Sequence, residues 1–520
     1  MQIKKIPYAD TQAFNSFFLD YIDQKNTLKP FYHRFPAIEN FSQQILEKSA
    51  SFPSANRKML SETLQFQYKD LSAAEAVKDN IQSLIDSKTF TVTTGHQLNL
   101  FTGPLYFIYK IVTVINACKQ LRAKYPDHNF VPVYWMASED HDYDEIKSFR
   151  LYGKKYSWET QQKGAVGRFS TKGIDTLLNE VPGDTKIFKD AYLKHKKLSD
   201  AVRYYVNEIF GREGLVVVDA DDRNLKSLFK NVIHEDITQH TPLKLVNETN
   251  HALEALHYEP QVFCRDINFF YLDNNLRSRI EKRDGHYHVL ESSLTFTESQ
   301  LNELIEREPE KFSPNVILRP LYQEVILPNL AYVGGPAEVV YWLQLKKVFD
   351  HFQVTFPMLM PRNFALVIEP HIARKFEKTS LEISHFFEDK NFIFNHWVVR
   401  NSKHNLTVGP ERSTVNEIFA QLQERAGTID KTLSPFVGAE GKRMLNSLEK
   451  IERKLLRAEK RQQSDKLQQI EAVKDALFPN GGLQERVDNF LNFYQQYPDF
   501  ITKLLQNFDP FDYRFNILTC

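Results

Sequence analysis

The sequence FTVTTGHQLNLFTGP, residues 90–104, joins a short β-prone run to a stretch with helical character. Thr102 is placed to cap that helix, Gly103 tolerates unusual backbone angles, and Pro104 suits a first helical turn because its missing N–H would be unpaired there. The next run, FVPVYWMA at residues 130–137, is almost continuously apolar, as expected of a strand buried on both faces. Together these segments predict a βαβ unit.

The same alternation of helix and strand recurs along the chain. Its further segments are a helix at about 197–210, a strand at 214–219, a unit running from 315 through Gly334-Gly335-Pro336 into a helix near Ala337, and extended stretches at 354–360 and 364–368. We therefore predict an α/β fold with a doubly wound, mostly parallel sheet. The more polar residues of about 146–200 and 223–312 are interpreted as insertions into this core.

Beyond residue 370 the composition shifts toward long amphipathic helices. Between 440 and 477, a heptad pattern is interrupted at Gln462, which indicates a stutter or an antiparallel hairpin rather than one uniform coil. The heptad positions are Leu448, Ile451, Leu455 and Ala458. We predict a core over 1–370, a helical coiled-coil domain over 371–478, and a C-terminal segment, 479–520, that returns to the core. The apolar stripe fits a homodimer contact, and its charged neighbours fit a solvated face.

The bulk composition excludes several classes of function. The 66 Lys and Arg residues equal the 66 Asp and Glu residues, so no net field draws the protein onto nucleic acid or an anionic membrane. No signal peptide and no run of roughly 18 apolar residues is present, so a cytoplasmic protein without a membrane partner is expected. The three cysteines, Cys118, Cys264 and Cys520, form no CxxC pair, so they are expected to be reduced and no metal site is predicted.

Ligands of parallel sheets bind beyond the carboxyl ends of the strands, where two polar loops are expected. The first loop follows the strand at 90–94 and offers hydroxyl, amide and imidazole groups close to a helix N-terminus, which suits a phosphate or a carboxylate. Its candidate residues are Thr94, Gly95, His96, Gln97, Asn99 and Gly103. An ordinary glycine-containing turn with polar caps explains the same residues.

The second loop follows the apolar run at 130–137 and is crowded with ionisable groups. Closely spaced carboxylates raise one another's pKa and favour a nearby imidazolium, so the loop could bind a substrate ammonium or accept a proton from an attacking amine. A divalent cation is a further alternative, although adjacent acids at a strand end prescribe no ligand geometry. Its candidate residues are Glu139, Asp140, His141, Asp142 and Asp144. The alternative is a plain solvated acidic turn.

The third group of candidates lies between residues 319 and 342. Arg319 could hold a carboxylate with two hydrogen bonds, and the glycines allow close approach of a ligand to the backbone. The candidates are Arg319, Gln323, Gly334, Gly335, Glu338, Tyr341 and Trp342. A structural arginine and ordinary aromatic residues on a helix face are the alternative.

Four strings occur together in this chain: TTGHQLNLFTGPLYFIYK, VPVYWMASEDHDYDEI, RPLYQEVILPNLAYVGGPAEVVYW and PNGGLQERVDNFL. In this order they resemble the signature stretches of the BshC family, the cysteine ligases of bacillithiol biosynthesis, over about residues 90–495. The resemblance implies a Rossmann-like core with connecting-peptide insertions and a coiled-coil domain that promotes dimerisation. It also implies addition of L-cysteine to glucosaminyl-malate.

The sequence does not identify the cofactor that activates the carboxylate. Joining an amine to a free carboxylate in water needs activation, for which ATP with Mg²⁺ is a candidate. However, His96 in TGHQ is at best a relic of the HIGH-type motif of class I aminoacyl-tRNA synthetases, whose core the family shares, and no KMSKS-like string is present.

The mechanistic hypothesis places the malate carboxylates near Arg319 and the helix N-termini at Gly103 and Gly335, with the amines at the acidic loop. His141 or Asp142 would accept the proton of the attacking glucosamine nitrogen. The competing hypotheses are another nucleotide-dependent ligase or nucleotidyltransferase that acts on a different amine, and a non-catalytic dimeric binding protein.

Overall fold

A computed structural model describes residues 2–519 of the chain; Cys520 lies outside the described residues. The strands are β1 (Gln2–Pro7), β2 (Thr89–His96), β3 (Asn129–Met136), β4 (Ser148–Leu151), β5 (Lys154–Ser157), β6 (Val216–Asp219), β7 (Phe269–Asp273), β8 (Leu276–Arg283), β9 (His286–Val289), β10 (Thr295–Phe296), β11 (Phe312–Pro314), β12 (Asn329–Gly334), β13 (Met358–Pro361), β14 (Ala365–Ile368) and β15 (Arg514–Thr519).

The α-helices of the first part of the chain surround these strands. They are α1 (Ser16–Ile22), α2 (Phe41–Ser51), α3 (Ser54–Gln67), α4 (Glu75–Ser83), α5 (Tyr106–Lys124), α6 (Tyr143–Ile146), α7 (Asp175–Glu180), α8 (Lys186–Lys194), α9 (Leu198–Phe210), α10 (Arg223–Ser227), α11 (Lys230–Gln239), α12 (Thr241–Ala255), α13 (Glu298–Arg307), α14 (Arg319–Ile326), α15 (Pro336–Trp342) and α16 (Lys346–His351).

The remaining helices follow β14. They are α17 (Pro370–Glu377), α18 (Lys390–Asn401), α19 (Gly409–Ile429), α20 (Leu433–Gln462), α21 (Ser464–Leu477), α22 (Gln484–Val487), α23 (Leu491–Tyr494) and α24 (Phe500–Asn507). Among residues 2–519, no helix is both long enough and apolar enough to cross a membrane.

A five-stranded parallel sheet forms the centre of the fold, with the strand order β13-β12-β2-β3-β6. The predicted α/β fold with a parallel sheet is therefore confirmed. Strands β2 and β3 run side by side in register, with Gly95 opposite Trp135 and His96 opposite Met136. Both strands are buried almost throughout, because helices cover both faces of the sheet. The two predicted loops consequently leave the same edge of the sheet.

Three smaller sheets accompany the central one. An antiparallel sheet of order β10-β9-β8-β7-β11 lies within residues 269–314, and β4 pairs with β5 as a hairpin. The extended segment predicted at 364–368 leaves the parallel sheet and pairs as β14 with β15, which also pairs with β1. Both ends of the described chain are thereby joined in one small sheet.

The crossover from β2 to α5 contains an unusual backbone. Phe101, Thr102 and Gly103 all have positive φ, at 50°, 71° and 62°. Thr102 does not cap the helix as predicted, because α5 begins only at Tyr106, and the Thr102 hydroxyl is buried without a hydrogen-bond partner. The side-chain amide of Asn489 holds this crossover by donating to the carbonyl oxygens of Phe101 and Gly103, each at 2.7 Å.

Helices α19 and α20 pack against each other as a hairpin closed by a short turn at 430–432. Gln462, which interrupts the heptad pattern, is the last residue of α20, and α21 begins after one intervening residue. Many large apolar side chains of this hairpin are exposed. They are Ile418, Leu422, Ile429, Leu433, Phe436, Met444, Ile451 and Leu455, and we call them the hairpin apolar face.

Candidate active site at the carboxyl edge of the parallel sheet

Two neighbouring cavities open at the carboxyl ends of β2, β3 and β12. The central cavity, of about 320 Å³, is lined by Gly95, His96, Gln97, Tyr106, Lys110, Trp135, Ala137, Arg319, Tyr332, Gly335, Pro336, Ala337, Glu338, Tyr341, Arg362 and Arg486. The side cavity, of about 460 Å³, is lined by residues 135–140, Phe263, Arg265, Ile267, Phe269, Phe270, Arg277, Arg279, 314–316 and Arg319. Trp135, Ala137 and Arg319 line both cavities and so form a shared wall.

An ion pair between the buried Lys110 and the half-buried Glu338 forms part of the central cavity. The Lys110 ammonium lies 2.6 Å from Glu338 Oε2 and donates to the carbonyl oxygen of Gly95 at 2.8 Å. Glu338 also accepts hydrogen bonds from the Tyr332 hydroxyl and the Gly335 N–H, each at 2.7 Å. Burial lowers the pKa of Lys110. Burial alone would raise the pKa of Glu338, but the Lys110 charge holds that pKa below its usual value, so the carboxylate stays ionised.

Two of the four cations in the central cavity have no carboxylate partner. Arg362 is neutralised by Glu485 at 2.5 Å, and both side chains of that pair are buried. By contrast, Arg319 and Arg486 make no ion pair within residues 2–519. The cavity therefore carries an excess of two positive charges, which suits a ligand with two carboxylates.

Arg319 is held in place by neutral groups. Its Nη1 donates to Gln323 Oε1 at 3.0 Å, while its Nη2 is buried and has no hydrogen-bond acceptor in the described part of the chain. The rings of Trp135, Tyr332 and Trp342 lie 5.6 to 5.8 Å from the guanidinium. An arginine fixed by aromatic rings, with a donor left unpaired, is ready to bind an anion.

His96 reaches the central cavity from the end of β2. Burial, together with the nearby Lys110 charge, lowers its pKa to about 3. Its Nε2 is buried without a hydrogen-bond partner, and its ring packs beside Tyr106 and Phe107. The imidazole is thus neutral at physiological pH, with one ring nitrogen available to a ligand.

The acidic loop divides between the side cavity and solvent. Glu139 is paired through Oε1 with the buried Lys226 at 2.5 Å. Asp140 accepts from Gln97 at 2.8 Å and from the backbone N–H of His141 at 2.7 Å. Burial alone would raise the pKa of Asp140, but the neighbouring side chains of His141 and Gln97 and the charge of Arg277 hold it well below its usual value. Asp140 therefore contributes negative charge to the side cavity, whereas burial raises the pKa of Glu139, which is paired with Lys226.

His141, Asp142 and Asp144 line neither cavity. His141 is exposed; its Nδ1 accepts a hydrogen bond from Arg277 Nη1 at 2.7 Å, and its ring lies beside Phe270. Asp142 and Asp144 are exposed, and Asp144 forms an ion pair with Lys147. In this loop, predicted to be catalytic, Glu139 and Asp140 therefore line the side cavity. The remaining predicted residues, His141, Asp142 and Asp144, are exposed to solvent.

Several other predicted residues support the site from behind. Thr94 donates to the carbonyl oxygen of Val333, Gln323 holds Arg319, and Trp342 stacks on Tyr332 at 4.5 Å. Asn99 is buried, Gly334 ends β12, and Gly103 lines a separate cavity beside the β4–β5 hairpin. The residues placed at the central cavity are Gly95, His96, Gln97, Arg319, Gly335, Glu338 and Tyr341, and those at the side cavity are Glu139, Asp140 and Arg319.

Two backbone N–H groups at the expected anion sites are engaged within the protein. The Gly335 N–H donates to Glu338 Oε2, and the Gly103 N–H donates to the carbonyl oxygen of Leu100 at 2.8 Å. Binding of a substrate carboxylate at these two helix N-termini stays a prediction, which would need other N–H groups of the first turns.

Three cations of the central cavity were missed from the sequence: Lys110, Arg362 and Arg486. A signal existed for Lys110, which interrupts the apolar run of α5, since a lone charge on a buried helix needs a buried partner. Arg486 belongs to the fourth of the quoted strings, from which no residue had been chosen. Among residues 2–519, no group of three or more His, Cys, Asp or Glu side chains could hold a metal ion.

Comparison with known proteins shows which family this chain belongs to. The model for the Bacillithiol biosynthesis BshC N-terminal Rossmann-like domain matches residues 1–363, and that for the BshC C-terminal coiled-coil domain matches residues 365–520. The chain belongs to the BshC family. Its core is therefore Rossmann-like, and the long helices after β14 belong to the coiled-coil domain of BshC proteins.

Relatives in several bacteria extend along the whole chain. The protein of Flavobacterium johnsoniae is 42% identical, covering 99% of this chain and 99% of its own length. The Cytophaga hutchinsonii protein is 40% identical, covering 100% of this chain and 98% of its own length. The Staphylococcus carnosus protein is 26% identical, covering 93% of this chain and 94% of its own length. Each of these relatives is named "Putative cysteine ligase BshC".

Proposed function

We propose that this BshC protein is a cytoplasmic ligase that joins L-cysteine to the glucosamine amine of glucosaminyl-malate, forming the amide bond of bacillithiol. The observation that carries the proposal is the excess of two positive charges, Arg319 and Arg486, in the central cavity. Malate presents two carboxylates, and each arginine can hold one with charge-assisted hydrogen bonds. Family membership supports ligation of cysteine in the bacillithiol pathway, since the relatives are named "Putative cysteine ligase BshC".

His96 is proposed to orient the attacking amine. With a pKa of about 3, its imidazole is too weak a base to take the amine proton at neutral pH, but its free ring nitrogen can take part in a hydrogen bond with the amine. The proton then leaves through the open mouth of the cavity to solvent. His141 lies outside the cavity, and we propose that it acts through Arg277, which it contacts.

The bond-forming step needs a co-substrate. The glucosamine nitrogen bonds to the cysteinyl carbonyl carbon, the carboxyl C–O bond breaks, and an oxygen must leave with an activating group. We propose ATP with Mg²⁺ as the source of that group, so that the phosphoryl or adenylyl moiety carries the oxygen away. No residue of the chain is assigned to the nucleotide.

Mass spectrometry tests the proposal directly. Purified protein is incubated with glucosaminyl-malate and L-cysteine, with and without ATP and Mg²⁺, and the condensed thiol, AMP and ADP are measured. We expect the thiol only in the complete mixture. Its absence from every mixture, with turnover of a different amine instead, would replace this function by that of another nucleotide-dependent ligase or a nucleotidyltransferase.

Variants of Arg319 and Arg486 test whether the excess positive charge of the central cavity binds the substrate carboxylates. Arg486→Gln and Arg319→Gln should each raise the KM for glucosaminyl-malate by roughly tenfold or more, since one charge-assisted contact is lost. Arg457→Gln, which changes an exposed arginine on α20, serves as the matched control and should leave that KM unchanged. Equal KM values in all four proteins would contradict the dicarboxylate assignment.

We also propose a homodimer formed through the hairpin apolar face. Eight large apolar side chains exposed on one helical hairpin form more apolar surface than a solvated helix pair needs. A dimeric binding protein without catalysis would use the same face. The charged central cavity favours the catalytic alternative, because a vestigial pocket has no need for a buried guanidinium N–H without an acceptor, as on Arg319.

A further inference from the structure

Two arginines at the rim of the side cavity have no carboxylate partner. Arg265 and Arg279 are exposed there, and their side chains make no hydrogen bond or ion pair within residues 2–519. Arg277 lies deeper, where it donates to Ser313, Pro314 and His141 and lies in the field of Asp140 and Glu139. The rim therefore attracts an anionic group.

One carboxylate oxygen of the same cavity is available to a cation. Glu139 is paired with Lys226 through Oε1 only, and its Oε2 makes no hydrogen bond within the described residues. Asp140, by contrast, has both oxygens occupied by N–H donors from Gln97, His141 and Asp142. Glu139 is thus the acid that can accept an ammonium group.

Much of the remaining lining of the side cavity is apolar, with Ser138 and Asn315 as polar exceptions. Its apolar side chains come from the loop before β7, from β7 itself and from the segment after β11. They are Phe263, Ile267, Phe269, Phe270 and Val316. An apolar lining of this kind accommodates a thiol-bearing side chain, because sulfur is soft and weakly hydrated.

The position of the side cavity relates it to the central one. The two cavities are separated only by the wall of Trp135, Ala137 and Arg319, so ligands in both would lie on either side of one arginine. The volume of about 460 Å³ exceeds the needs of a free small amino acid. It leaves room for a further group on the carboxyl of that amino acid.

We infer that the side cavity is the binding site of the α-amino acid substrate, L-cysteine, and that the two reactants approach across the shared wall. The ammonium group lies at Glu139 Oε2, the carboxyl group, free or activated, faces the arginines, and the thiol packs on the phenylalanines. This inference rests on the proposed function for the identity of the amino acid. It divides the site into one cavity for each reactant.

Steady-state kinetics of a rim variant tests the inference. The double variant Arg265→Ala/Arg279→Ala should raise the KM for L-cysteine at least tenfold and leave the KM for glucosaminyl-malate within twofold. Arg283→Ala, which removes another exposed arginine from β8, is the matched control. An unchanged KM for L-cysteine, or a rise confined to glucosaminyl-malate, would overturn the inference while leaving the proposed function intact.

Calorimetry separates this inference from the reaction itself. Wild-type protein should bind L-cysteine at least tenfold more tightly than L-cysteine methyl ester, which lacks the carboxylate charge, or N-acetyl-L-cysteine, which lacks the ammonium group. The double variant should lose the preference over the ester. If this binding pattern is observed but no condensed thiol forms, the proposed ligase function is contradicted while the L-cysteine site is supported. If wild-type protein binds no L-cysteine, the proposed L-cysteine site is contradicted.

Discussion

At the scale of single residues, His96 is the clearest case of burial setting chemistry. Because its pKa is about 3, the imidazole does not titrate between pH 6 and 9. His96→Gln should therefore lower kcat at least tenfold by a constant factor across that range, without moving an inflection of the pH profile. If the decrease in kcat of His96→Gln changed with pH near neutrality, His96 would be acting as the general base.

We propose a role for His141 that differs from the one its neighbours in the sequence suggest. Its hydrogen bond from Arg277 supports a role in positioning that arginine at the side cavity. We expect His141→Ala to raise the KM for L-cysteine several-fold while kcat falls less than threefold, and His141→Gln to restore part of the KM. The general-base hypothesis predicts instead a tenfold loss of kcat, so steady-state kinetics decides between the two.

Asp488 links residue chemistry to stability. Burial, with a smaller contribution from the Glu369 charge, raises its pKa to about 7. Its folded-state pKa lies above the unfolded value, so its contribution to stability is complete at low pH and is lost as the pH rises through about 7. Asp488→Asn should therefore raise Tm relative to wild type at pH 8.5 by about 1 °C or more, and by much less at pH 5. Asp79→Asn, an exposed change, is the control for thermal melts.

At the scale of elements, the crossover between β2 and α5 depends on a residue almost four hundred positions away. Asn489 is fully buried and satisfies two carbonyl groups of a backbone with three consecutive positive φ values. Asn489→Ala should cost about 2 kcal/mol of unfolding free energy, since two buried acceptors lose their donor. The variant should also lower kcat, because α5 carries Lys110 and Tyr106 to the central cavity.

Denaturant unfolding with parallel activity assays measures both effects of Asn489→Ala. Asn492→Ala, a nearby asparagine whose side chain accepts only one long hydrogen bond, is the matched control. Wild-type stability in Asn489→Ala would mean that the crossover holds its conformation without the C-terminal segment.

At the scale of the whole molecule, the hairpin apolar face predicts the oligomeric state. Phe436 and Ile429 are 61% and 76% exposed near the closed end of the hairpin. Phe436→Asp should shift sedimentation velocity from dimer toward monomer, because an ionised carboxylate at an apolar interface is costly to desolvate. Leu193→Asp changes another exposed apolar residue, outside the hairpin, and should leave the dimer intact. A monomeric wild-type protein would remove the dimer proposal.

The nearness of the first two loops could be predicted from the sequence because it follows from a local rule. The carboxyl ends of adjacent parallel strands meet at one edge, so residues at the ends of β2 and β3 were expected to share a site. The direction in which each side chain points could not be obtained in this way. Within six residues, Glu139 faces a cavity while His141 and Asp144 face solvent, because the loop bends over Asp140.

The amino-acid sequence alone determined the parallel sheet, the loops at its edge, the long helices after residue 370 and the family, since each depends on periodicity, turn residues or strings read locally. The hairpin itself turns at 430–432 and not at Gln462, where the heptad pattern is interrupted. The tertiary structure alone decided which charges remain free. Lys110 and Arg362 are neutralised by Glu338 and Glu485, whereas Arg319 and Arg486 are not. Whether two charges pair depends on the distance between them in the packed structure. For residues far apart in the chain, no local sequence pattern predicts that distance.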